Sequence, residues 1–593
     1  MKRLLTGDEA IARGAYEAGV HFAAAYPGTP STEILENLSK YDEVCAEWAP
    51  NEKVAMESAI GASMAGGRAM ASMKHVGLNV AADPFFTFAY TGVNGGAVII
   101  TADEPGQHSA QNEQDNRNYA KAAKVPMFEP ANSQECRDMV LEAYEISEKY
   151  DCPVLIRMTT RVCHGKSIVE CGERKDVEIK EYKKDVKKYV CVPANAKGLR
   201  KKLEVKLEQL KEYAENTSFN FVEENPEATV GVIASGPCYH YAKEAFGDNA
   251  SYLKLGFSFP MPDDMIAAFC GKYDKIYIVE ENDPFIEERV RMLGFDCHGK
   301  DLLPKFGEMT PDVIREYFFD EKPNVIDYND EGVVPRPPTL CAGCPHRGFF
   351  YELGKRTDLM VSSDIGCYSL GFAKPYNATD SLICMGGGFS IGHGAQKVFN
   401  MKEDKKRVVS VMGDSTFLHS GIASLMDVVY NNSNAVSVIL DNRITGMTGH
   451  QENPGTGYNA KGESAVAMDI EGIVRAMGIK HIRVVNPNQL DEMKAVLDEF
   501  LELDEPSVII TKWPCALKKF SKEDKEQFPG AFTKKMMINE EGCIGCKLCT
   551  KCGCPAISFD ANCKKAKIDD IQCAGCGVCS QLCPKDAITW KEA

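Results

Sequence analysis

The chain has 593 residues, 44% of them hydrophobic and 26% charged, which is the composition of an ordinary globular protein. One hydrophobic core cannot fill this length, so we expect several domains of about 100–200 residues each. The net charge of −17 argues against a nucleic-acid partner, because such proteins concentrate Lys and Arg. An apolar run of about 18 residues and the apolar core of a signal peptide are both missing, so we expect a cytoplasmic protein that does not enter a membrane.

Residues 1–165 alternate helical patterns with short apolar β runs. The helical patterns include GDEAIARGAYEAG and AMESAIGASMAG, and the β runs include GAVIITAD and CPVLIRMT. This alternation predicts a parallel βαβ sheet with helices on both faces.

The rest of the chain predicts four further segments. Residues 166–228 are rich in Lys and Glu and predict a helical connection, and residues 229–334 return to the α/β pattern. The Pro-rich stretch YNDEGVVPRPPTL predicts a boundary close to Pro335. Residues 335–530 predict another α/β domain, and residues 535–593 form a cysteine-rich tail.

The tail holds ten of the 24 cysteines, all between Cys543 and Cys583. Such short spacings in a reducing compartment indicate metal ligands rather than disulfides. Two versions of one unit, CIGCKLC…CPAISF and CAGCGVC…CPKDAITW, follow each other. The second has the C-x2-C-x2-C-x3-C-P spacing of bacterial ferredoxins, in which three thiolates bind one [4Fe–4S] cluster and the fourth binds the other.

Two such units predict a bacterial-type ferredoxin domain with two clusters. The first unit offers both Cys552 and Cys554; we assign Cys554 as the ligand because proline follows it, as in the second unit. The roles of Cys552 and Cys563 stay open. Zinc knuckles are the alternative, but they would leave the Cys-Pro thiolates unused. The expected ligands are Cys543, Cys546, Cys549 and Cys583 for cluster one, and Cys554, Cys573, Cys576 and Cys579 for cluster two.

The segment from Asp414 to Asn442 has a strand, helix, strand pattern. Asp414 follows one predicted strand, and Asn442 follows the next strand 28 residues later. Because open α/β sheets bind ligands where parallel strands end, both side chains are expected at one edge. Their oxygen atoms, with the backbone carbonyl of Ile444, suit Mg²⁺, which usually comes with phosphates.

The pattern Gly-Asp-x followed by Asn resembles the diphosphate-binding motif of thiamine-diphosphate enzymes. This resemblance implies that the cofactor and its Mg²⁺ are bound by Gly413, Asp414, Ser415, Asn442 and Ile444.

Three amino-terminal residues are candidates for catalysis. Thiamine chemistry needs a carboxyl group against the aminopyrimidine ring, and the family pattern favours Glu52 at a helix start, with Glu57 as the alternative. The stretch AAAYPGTPSTEI resembles the Tyr-Pro-x-Thr-Pro turn of 2-oxoacid:ferredoxin oxidoreductases, which implies that Thr29 contacts the substrate. Arg117 is a candidate for binding the substrate carboxylate.

Several longer motifs extend the resemblance. CAGCPHRGFFY, SSDIGCYSLGF, GDSTFLHSGI, LDNRITGMTGHQENPGTG and the tail together resemble the large (alpha) subunit of indolepyruvate:ferredoxin oxidoreductases, over the first 160 residues and residues 335–593. The implied fold is α/β and multidomain: a pyrimidine-binding-type domain (1–165), a transketolase-C-like domain (229–334), a thiamine diphosphate and magnesium domain (335–530), and a 2[4Fe–4S] ferredoxin domain.

The resemblance also implies a reaction and partners. The reaction is the oxidative decarboxylation of aryl 2-oxoacids such as indolepyruvate, with coenzyme A, to acyl-CoA and carbon dioxide, with reduction of ferredoxin. The partners are a smaller beta subunit, similar to a gamma domain of relatives, and a second such pair in a dimer of heterodimers. Whether one chain or two complete the thiamine site stays open.

In the wider pyruvate:ferredoxin oxidoreductase superfamily, four cysteines bind a cluster beside the thiamine. The cysteines in matching places imply a third [4Fe–4S] cluster; the alternative is a CxxC pair and two buried cysteines without a cluster. These cysteines are Cys341, Cys344, Cys367 and Cys515.

Three alternative functions stay open. The same chemistry can act on pyruvate, 2-oxoglutarate or branched-chain 2-oxoacids. A non-oxidative thiamine decarboxylase would release an aldehyde and would not need the tail clusters. A non-catalytic electron-transfer subunit would bind no thiamine diphosphate.

Overall fold

The computed structural model describes residues 1–323, 332–334, 336–402 and 406–591. The chain forms two compact units, Met1–Asn329 and Asp330–Ala593. The boundary predicted near Pro335 lies outside the described residues, and the five-part division of the chain stays a prediction. Across the described part of the chain, no helix is both long enough and apolar enough to cross a membrane.

The first unit alternates strands and helices from its start. Its described strands are β1 (Lys2–Thr6), β2 (Phe22–Ala25), β3 (Cys45–Trp48), β4 (Ala69–Lys74), β5 (Ala97–Asp103), β6 (Met127–Phe128), β7 (Val154–Thr159), β8 (Lys166–Glu170), β9 (Asn220–Glu223), β10 (Val230–Ser235), β11 (Ala250–Leu255), β12 (Phe257–Phe259) and β13 (Lys275–Val279). Its described helices are α1 (Gly7–Glu17), α2 (Thr32–Leu38), α3 (Glu52–Met64), α4 (His75–Val80), α5 (Ala82–Thr91), α6 (Arg117–Ala123), α7 (Ser133–Tyr150), α8 (Thr160–His164), α9 (Val186–Tyr189), α10 (Pro193–Asn216), α11 (Cys238–Phe246), α12 (Asp263–Cys270), α13 (Phe285–Met292) and α14 (Pro311–Phe319).

The largest sheet of this unit has the strand order β12-β6-β7-β5-β4-β2-β3. All its pairs are parallel except that of β12 with β6. Every residue of β5 is buried, as expected for a parallel strand with helices on both faces. The parallel α/β fold predicted for this region is therefore confirmed.

Two smaller sheets complete the first unit. One has the order β13-β10-β11-β9, and the other pairs β1 with β8. The charged segment predicted to be a helical connection does contain α10, yet it begins with β8 and ends with β9. Its buried Val169 and Asn220 explain why these ends join sheets instead of extending the helix.

The second unit also has an α/β core. Its described strands are β14 (Leu359–Ser362), β15 (Arg407–Gly413), β16 (Val436–Asp441), β17 (His481–Val485), β18 (Ser507–Lys512), β19 (Met536–Ile538), β20 (Ile557–Asp560), β21 (Lys565–Ile568) and β22 (Ile588–Trp590). Its described helices are α15 (His346–Leu353), α16 (Gly388–Phe399), α17 (Asp414–Thr416), α18 (Ile422–Tyr430), α19 (Ile470–Ala476), α20 (Leu490–Leu501) and α21 (Lys522–Gln527).

The core of the second unit is a parallel sheet with the order β14-β15-β16-β18-β17. The tail adds two antiparallel pairs, β19 with β22 and β20 with β21. A wide π-type turn, Phe417–Gly421, joins α17 to α18. Such turns are frequent at functional sites, and this one lies directly after the predicted magnesium ligand Asp414.

Candidate functional site

Four neighbouring strands of the second unit end at the same edge of its sheet. Asp364 lies just after β14, Asp414 directly after β15, Asn442 directly after β16, and Cys515 shortly after β18. Ligands of open α/β sheets bind at this edge. The predicted magnesium residues and one predicted cluster cysteine are thus neighbours.

Asp414 is 3% exposed and lies among other buried polar side chains, a cluster that we call the Asp414 pocket. The amide nitrogen of Asn453 donates to its Oδ2 (3.3 Å). The hydroxyl of Thr445 donates to Ser415 Oγ (3.0 Å), and both residues are buried. Asn453 and Thr445 were not predicted as site residues, although both lie in the motif LDNRITGMTGHQENPGTG.

Asn442 lies beside this pocket. Its Oδ1 accepts the backbone N–H of Ile444 (3.2 Å), which fixes the turn that follows β16. Its Nδ2 lies 3.4 Å from Nε2 of the buried His346. Burial lowers the pKa of His346 to about 4, so this ring is neutral near pH 7.

The pocket is electrostatically suited to a cation. Burial, and secondly the negative charge of Asp441, raise the pKa of Asp414 to about 7. A divalent cation favours the charged carboxylate and removes this penalty. The potential metal ligands around Asp414 are oxygen atoms of carboxylate, amide and hydroxyl groups, the kind of ligand that Mg²⁺ prefers. These residues therefore fit a magnesium ion held with a diphosphate.

Asp364 is a site residue that sequence reasoning missed. Its carboxylate accepts backbone N–H groups from Ile365 (2.7 Å), Gly386 (2.8 Å) and Gly388 (2.7 Å), and burial raises its pKa to about 6. It therefore holds the loop before α16 against the end of β14. The motif SSDIGCYSLGF contains it, but the sequence does not show that these amides converge on it.

The four cysteines predicted for a third cluster lie near one another. Burial, and then the charges of Cys515 and Cys341, raise the pKa of Cys367 to about 11. The pKa of Cys344 is raised by burial and also by Cys367 and Cys515. The N–H of Cys515 donates to the carbonyl of Asn442 (3.0 Å), which links this set to the Asp414 pocket.

Their spacing argues against a single metal ion. Among the described residues, no three cysteine sulfur atoms lie within 4.8 Å of one another. Tetrahedral zinc with a metal–sulfur bond of about 2.3 Å needs sulfur atoms only about 3.8 Å apart. The cysteines of the described residues are therefore not arranged for a single tetrahedral zinc ion, either here or in the tail.

The tail cysteines separate into the two predicted sets. The pKa of Cys549 is raised by burial first and then by the other three members of its set, Cys546, Cys543 and Cys583. The pKa of Cys579 is raised by burial and by its neighbours in the second set and Cys552. One small cavity is lined by Gly343, Arg347 and all four cysteines of the second set. These cysteines are Cys554, Cys573, Cys576 and Cys579.

The two extra cysteines of the tail differ in their surroundings. Cys552 is buried, and its thiol donates to the carbonyl of Cys549 (3.0 Å). Cys563 is exposed. Backbone N–H groups of Met536 and Ala587 donate to the sulfur atoms of Cys573 (3.4 Å) and Cys583 (3.3 Å). Such bonds stabilise thiolates and tune the potentials of iron–sulfur clusters.

The CxxC loop at Cys341 packs directly on the second tail unit. Gly343 has a φ of +74°, and a Cβ at this position would lie 2.5 Å from the Cβ of Ala574. Buried Arg347 donates to the carbonyls of Cys341 (2.7 Å) and Cys552 (2.9 Å). One guanidinium group thus joins the CxxC loop of the predicted third set to the tail at Cys552, a cysteine outside both predicted tail sets.

In the first unit, Thr29 and Glu52 follow two adjacent parallel strands, β2 and β3. Glu52 opens α3, whose start is capped by Asn51. Glu52 is 6% exposed, whereas Glu57 is exposed and pairs with Lys53. Glu52 is therefore the carboxyl group shielded from water.

Lys74, which ends β4 beside β2, was also missed. Its Nζ lies 3.2 Å from Glu104 Oε2, and it donates to the carbonyl of Ser109 (3.3 Å). Burial lowers the pKa of Lys74, while Glu104 and Glu52 act in the opposite direction. A Cβ on Gly28 would lie 3.1 Å from Cγ of Lys74, so the aliphatic part of this side chain packs against the YPGTP turn.

Arg117 has a structural position that contradicts the expected substrate contact. It is fully buried, and its guanidinium binds Asp115 (2.6 Å) and Glu280 (2.7 Å) and donates to the carbonyl of Glu281 (2.6 Å). These partners occupy its donors, so we correct its role to a buried ion pair within the first unit.

Comparisons with known proteins agree with the resemblance. Residues 13–223 match the family "Pyruvate flavodoxin/ferredoxin oxidoreductase, thiamine diP-bdg", and residues 364–511 match "Thiamine pyrophosphate enzyme, C-terminal TPP binding domain". The chain is 41% identical to the indolepyruvate oxidoreductase subunit IorA of Pyrococcus horikoshii, over 98% of this chain and 96% of that protein.

Two further relatives come from Archaeoglobus fulgidus. Its indolepyruvate oxidoreductase subunit IorA is 41% identical over 99% of this chain and 97% of that protein. Its 2-oxoglutarate synthase subunit KorA is 26% identical over 51% of this chain and 96% of that protein. The chain therefore belongs to the IorA family of indolepyruvate oxidoreductase subunits, within the thiamine-diphosphate-dependent 2-oxoacid:ferredoxin oxidoreductases.

Proposed function

We propose that this chain catalyses the oxidative decarboxylation of aryl 2-oxoacids, indolepyruvate among them, with coenzyme A as acyl acceptor and ferredoxin as electron acceptor. The observation that carries this proposal is the shared sheet edge, where Asp414 and Asn442 lie beside Cys515. A cofactor that handles two electrons needs a nearby one-electron carrier if ferredoxin is to accept them. The names of the relatives support the choice of substrate.

Thiamine diphosphate, when bound, supplies a carbon nucleophile for the 2-oxo group and accepts the electron pair that decarboxylation releases. In our proposal, Asp414, Asn442 and the carbonyl of Ile444 hold its Mg²⁺. Gly413 and Ser415 adjoin the diphosphate. Glu52 hydrogen-bonds the aminopyrimidine and holds its proton, a task that its burial supports.

The substrate is assigned to the YPGTP turn. Thr29 offers a hydroxyl group at this turn, and Lys74 offers the positive charge that a 2-oxoacid carboxylate requires. The contact between the Lys74 side chain and Gly28 supports this pairing. Lys74 thereby takes the role first expected of Arg117.

Electrons are proposed to leave through three [4Fe–4S] clusters. The third predicted set, Cys341, Cys344, Cys367 and Cys515, holds the cluster beside the cofactor. The contact of Gly343 with Ala574 and the hydrogen bonds of Arg347 bring this cysteine loop against the ferredoxin-like tail, whose cysteines would hold the two clusters that supply electrons to soluble ferredoxin.

The proposal includes partner subunits. The relatives are named as subunits, which supports a partner subunit, and we propose that it is a smaller beta subunit similar to a gamma domain. A dimer of such pairs and a cytoplasmic location stay predictions.

A substrate panel tests the proposed reaction. Purified protein with its smaller subunit is given indolepyruvate, pyruvate, 2-oxoglutarate and a branched-chain 2-oxoacid, and reduction of ferredoxin or a viologen dye is followed. We expect the highest kcat/KM for indolepyruvate, a requirement for coenzyme A, and acyl-CoA as product. Aldehyde as the product, or the absence of extractable thiamine diphosphate, would contradict the proposal.

Replacing Glu52 tests the proton-holding role. Glu52→Gln should lower kcat by about 10²–10⁴-fold, because general acid–base groups contribute on this scale. Binding of thiamine diphosphate, measured by calorimetry, should persist. Glu57→Gln is the matched control and should leave kcat unchanged, since Glu57 is exposed. Near-normal turnover of Glu52→Gln would exclude its role.

Replacing Lys74 tests the substrate carboxylate contact. Lys74→Met should raise KM for the 2-oxoacid by about 10–100-fold. This is the loss of affinity that corresponds to the free energy of one hydrogen bond to a charged group. Lys121→Met is the control, because Lys121 forms an exposed pair with Glu288. Circular dichroism checks that both variants fold. An unchanged KM in a folded Lys74→Met enzyme would remove Lys74 from the site.

Iron analysis tests the third cluster. The full chain should contain about twelve iron atoms, four for each cluster, and Cys515→Ser should lose about four of them. Cys563→Ser is the control and should lose none. If the unmodified chain holds only about eight iron atoms after anaerobic purification, the prediction of a third cluster is wrong.

A further inference from the structure

A second group of metal-ligating side chains lies in the first unit. Asp8 is at the start of α1, Glu33 is near the start of α2, and His164 ends α8. One ligand atom from each residue lies within 4.8 Å of the other two. The thiamine chemistry proposed above uses none of them.

Asp8 lacks the hydrogen bonds that its burial requires. It is 1% exposed, and no group lies in good hydrogen-bond geometry with either of its carboxylate oxygens or with Oε2 of Glu33. Its polar neighbours are the carboxyl group of Glu33 and the thiol of Cys163, which is only a weak hydrogen-bond donor. An unpaired buried carboxylate is costly, and a second carboxylate beside it adds repulsion.

The packing holds these ligands in place. A Cβ at Gly7 would lie 2.1 Å from the carbonyl oxygen of Val162, so the start of α1 contacts α8 directly. Asp8 and His164 therefore project from two closely packed segments. His164 itself is exposed, which gives an ion a path from solvent to the buried carboxylates.

A proton or a cation can relieve the repulsion between the two carboxylates. A shared proton would need only Asp8 and Glu33, whereas the third ligand, an imidazole nitrogen, favours a cation. Zinc binds carboxylate oxygen and imidazole nitrogen at about 2.0–2.2 Å, so its ligands in tetrahedral geometry lie about 3.3–3.6 Å apart. The three ligand atoms lie within 4.8 Å of one another, and a rotation of the exposed imidazole can close the remaining difference.

We propose that Asp8, Glu33 and His164 bind one divalent transition-metal ion of the zinc type, with water at an open position. The ion joins the starts of α1 and α2 to the end of α8. Because it binds the folded chain, it also raises the temperature of unfolding, and the increase grows with the logarithm of the free ion concentration.

The test uses the full-length protein with its iron and thiamine diphosphate retained. After passage over a chelating resin, excess Zn²⁺ is added, unbound ion is removed, and zinc is counted by mass spectrometry. We expect the unmodified protein to hold one more Zn²⁺ per chain than Asp8→Asn or His164→Ala. Zinc-edge X-ray absorption should show that the additional ion has oxygen and nitrogen ligands, which distinguishes it from zinc on free thiols.

The control is His298→Ala, because His298 is another exposed histidine beside a carboxylate, that of Asp301. It should retain the additional zinc, and Zn²⁺ should raise the unfolding temperature of this variant and the unmodified protein only. Equal zinc in all four proteins, or sulfur ligation throughout, would overturn the proposal. So would an Asp8→Asn protein that is more stable than the unmodified one at every Zn²⁺ concentration, which is the result for a shared proton.

Discussion

The hydrogen-bond register of the second unit's parallel sheet determines what its functional edge can do. Gly413 of β15 lies opposite Leu440 of β16, so the residues that follow, Asp414 and Asp441, come next to each other. This register explains why the charge of Asp441 helps to raise the pKa of Asp414. The neighbouring strand β18 ends at Lys512, three residues before Cys515. The N–H of Cys515 donates to the carbonyl of Asn442. Cation ligands and thiols are neighbours because the strands pair in this register.

Buried charge has two different meanings in this protein. Arg117 is surrounded by Asp115 and Glu280 in good geometry, so its network is complete and supports structure. Burial beside other carboxylates raises the pKa of Asp414 and of Asp8, and Arg443 opposes this at Asp414 without offsetting it. A buried charge that lacks its partner is expensive, and a bound cation supplies that partner. The first pattern is therefore stabilising by itself, whereas the second is completed by a ligand.

The sequence predicted the parts of the site that depend on local order. Asp414 and Asn442 end consecutive strands, and the tail cysteines have a fixed spacing, so their positions follow from the chain itself. The structure brings these residues together as expected; their roles as ligands stay proposals. The family pattern favoured Glu52 over Glu57, but the residues alone left both open, because the choice depends on which side of α3 faces the sheet.

Residues whose surroundings are distant in sequence were predicted poorly. The role of Arg117 was wrong because Glu280, far along the chain, occupies its guanidinium. Lys74 and Asp364 were missed because a charged residue at a strand end is common, and only the fold shows what approaches it. Likewise β12, from a segment predicted as a separate domain, joins the first sheet through β6. Pairing between strands that are far apart in the chain leaves no pattern in the local sequence from which it could be predicted.

Electron transfer from substrate to the adjacent cluster can be observed without turnover. Protein loaded with thiamine diphosphate and Mg²⁺ is mixed anaerobically with coenzyme A and indolepyruvate, with no external electron acceptor, and iron–sulfur absorbance is followed. We expect the absorbance of the unmodified protein to bleach, and that of an Asp414→Asn variant with the same iron content to stay unchanged. Equal bleaching in both proteins, or none in an unmodified protein that retains its cofactor, would contradict a shared site for the magnesium diphosphate and the first electron acceptor.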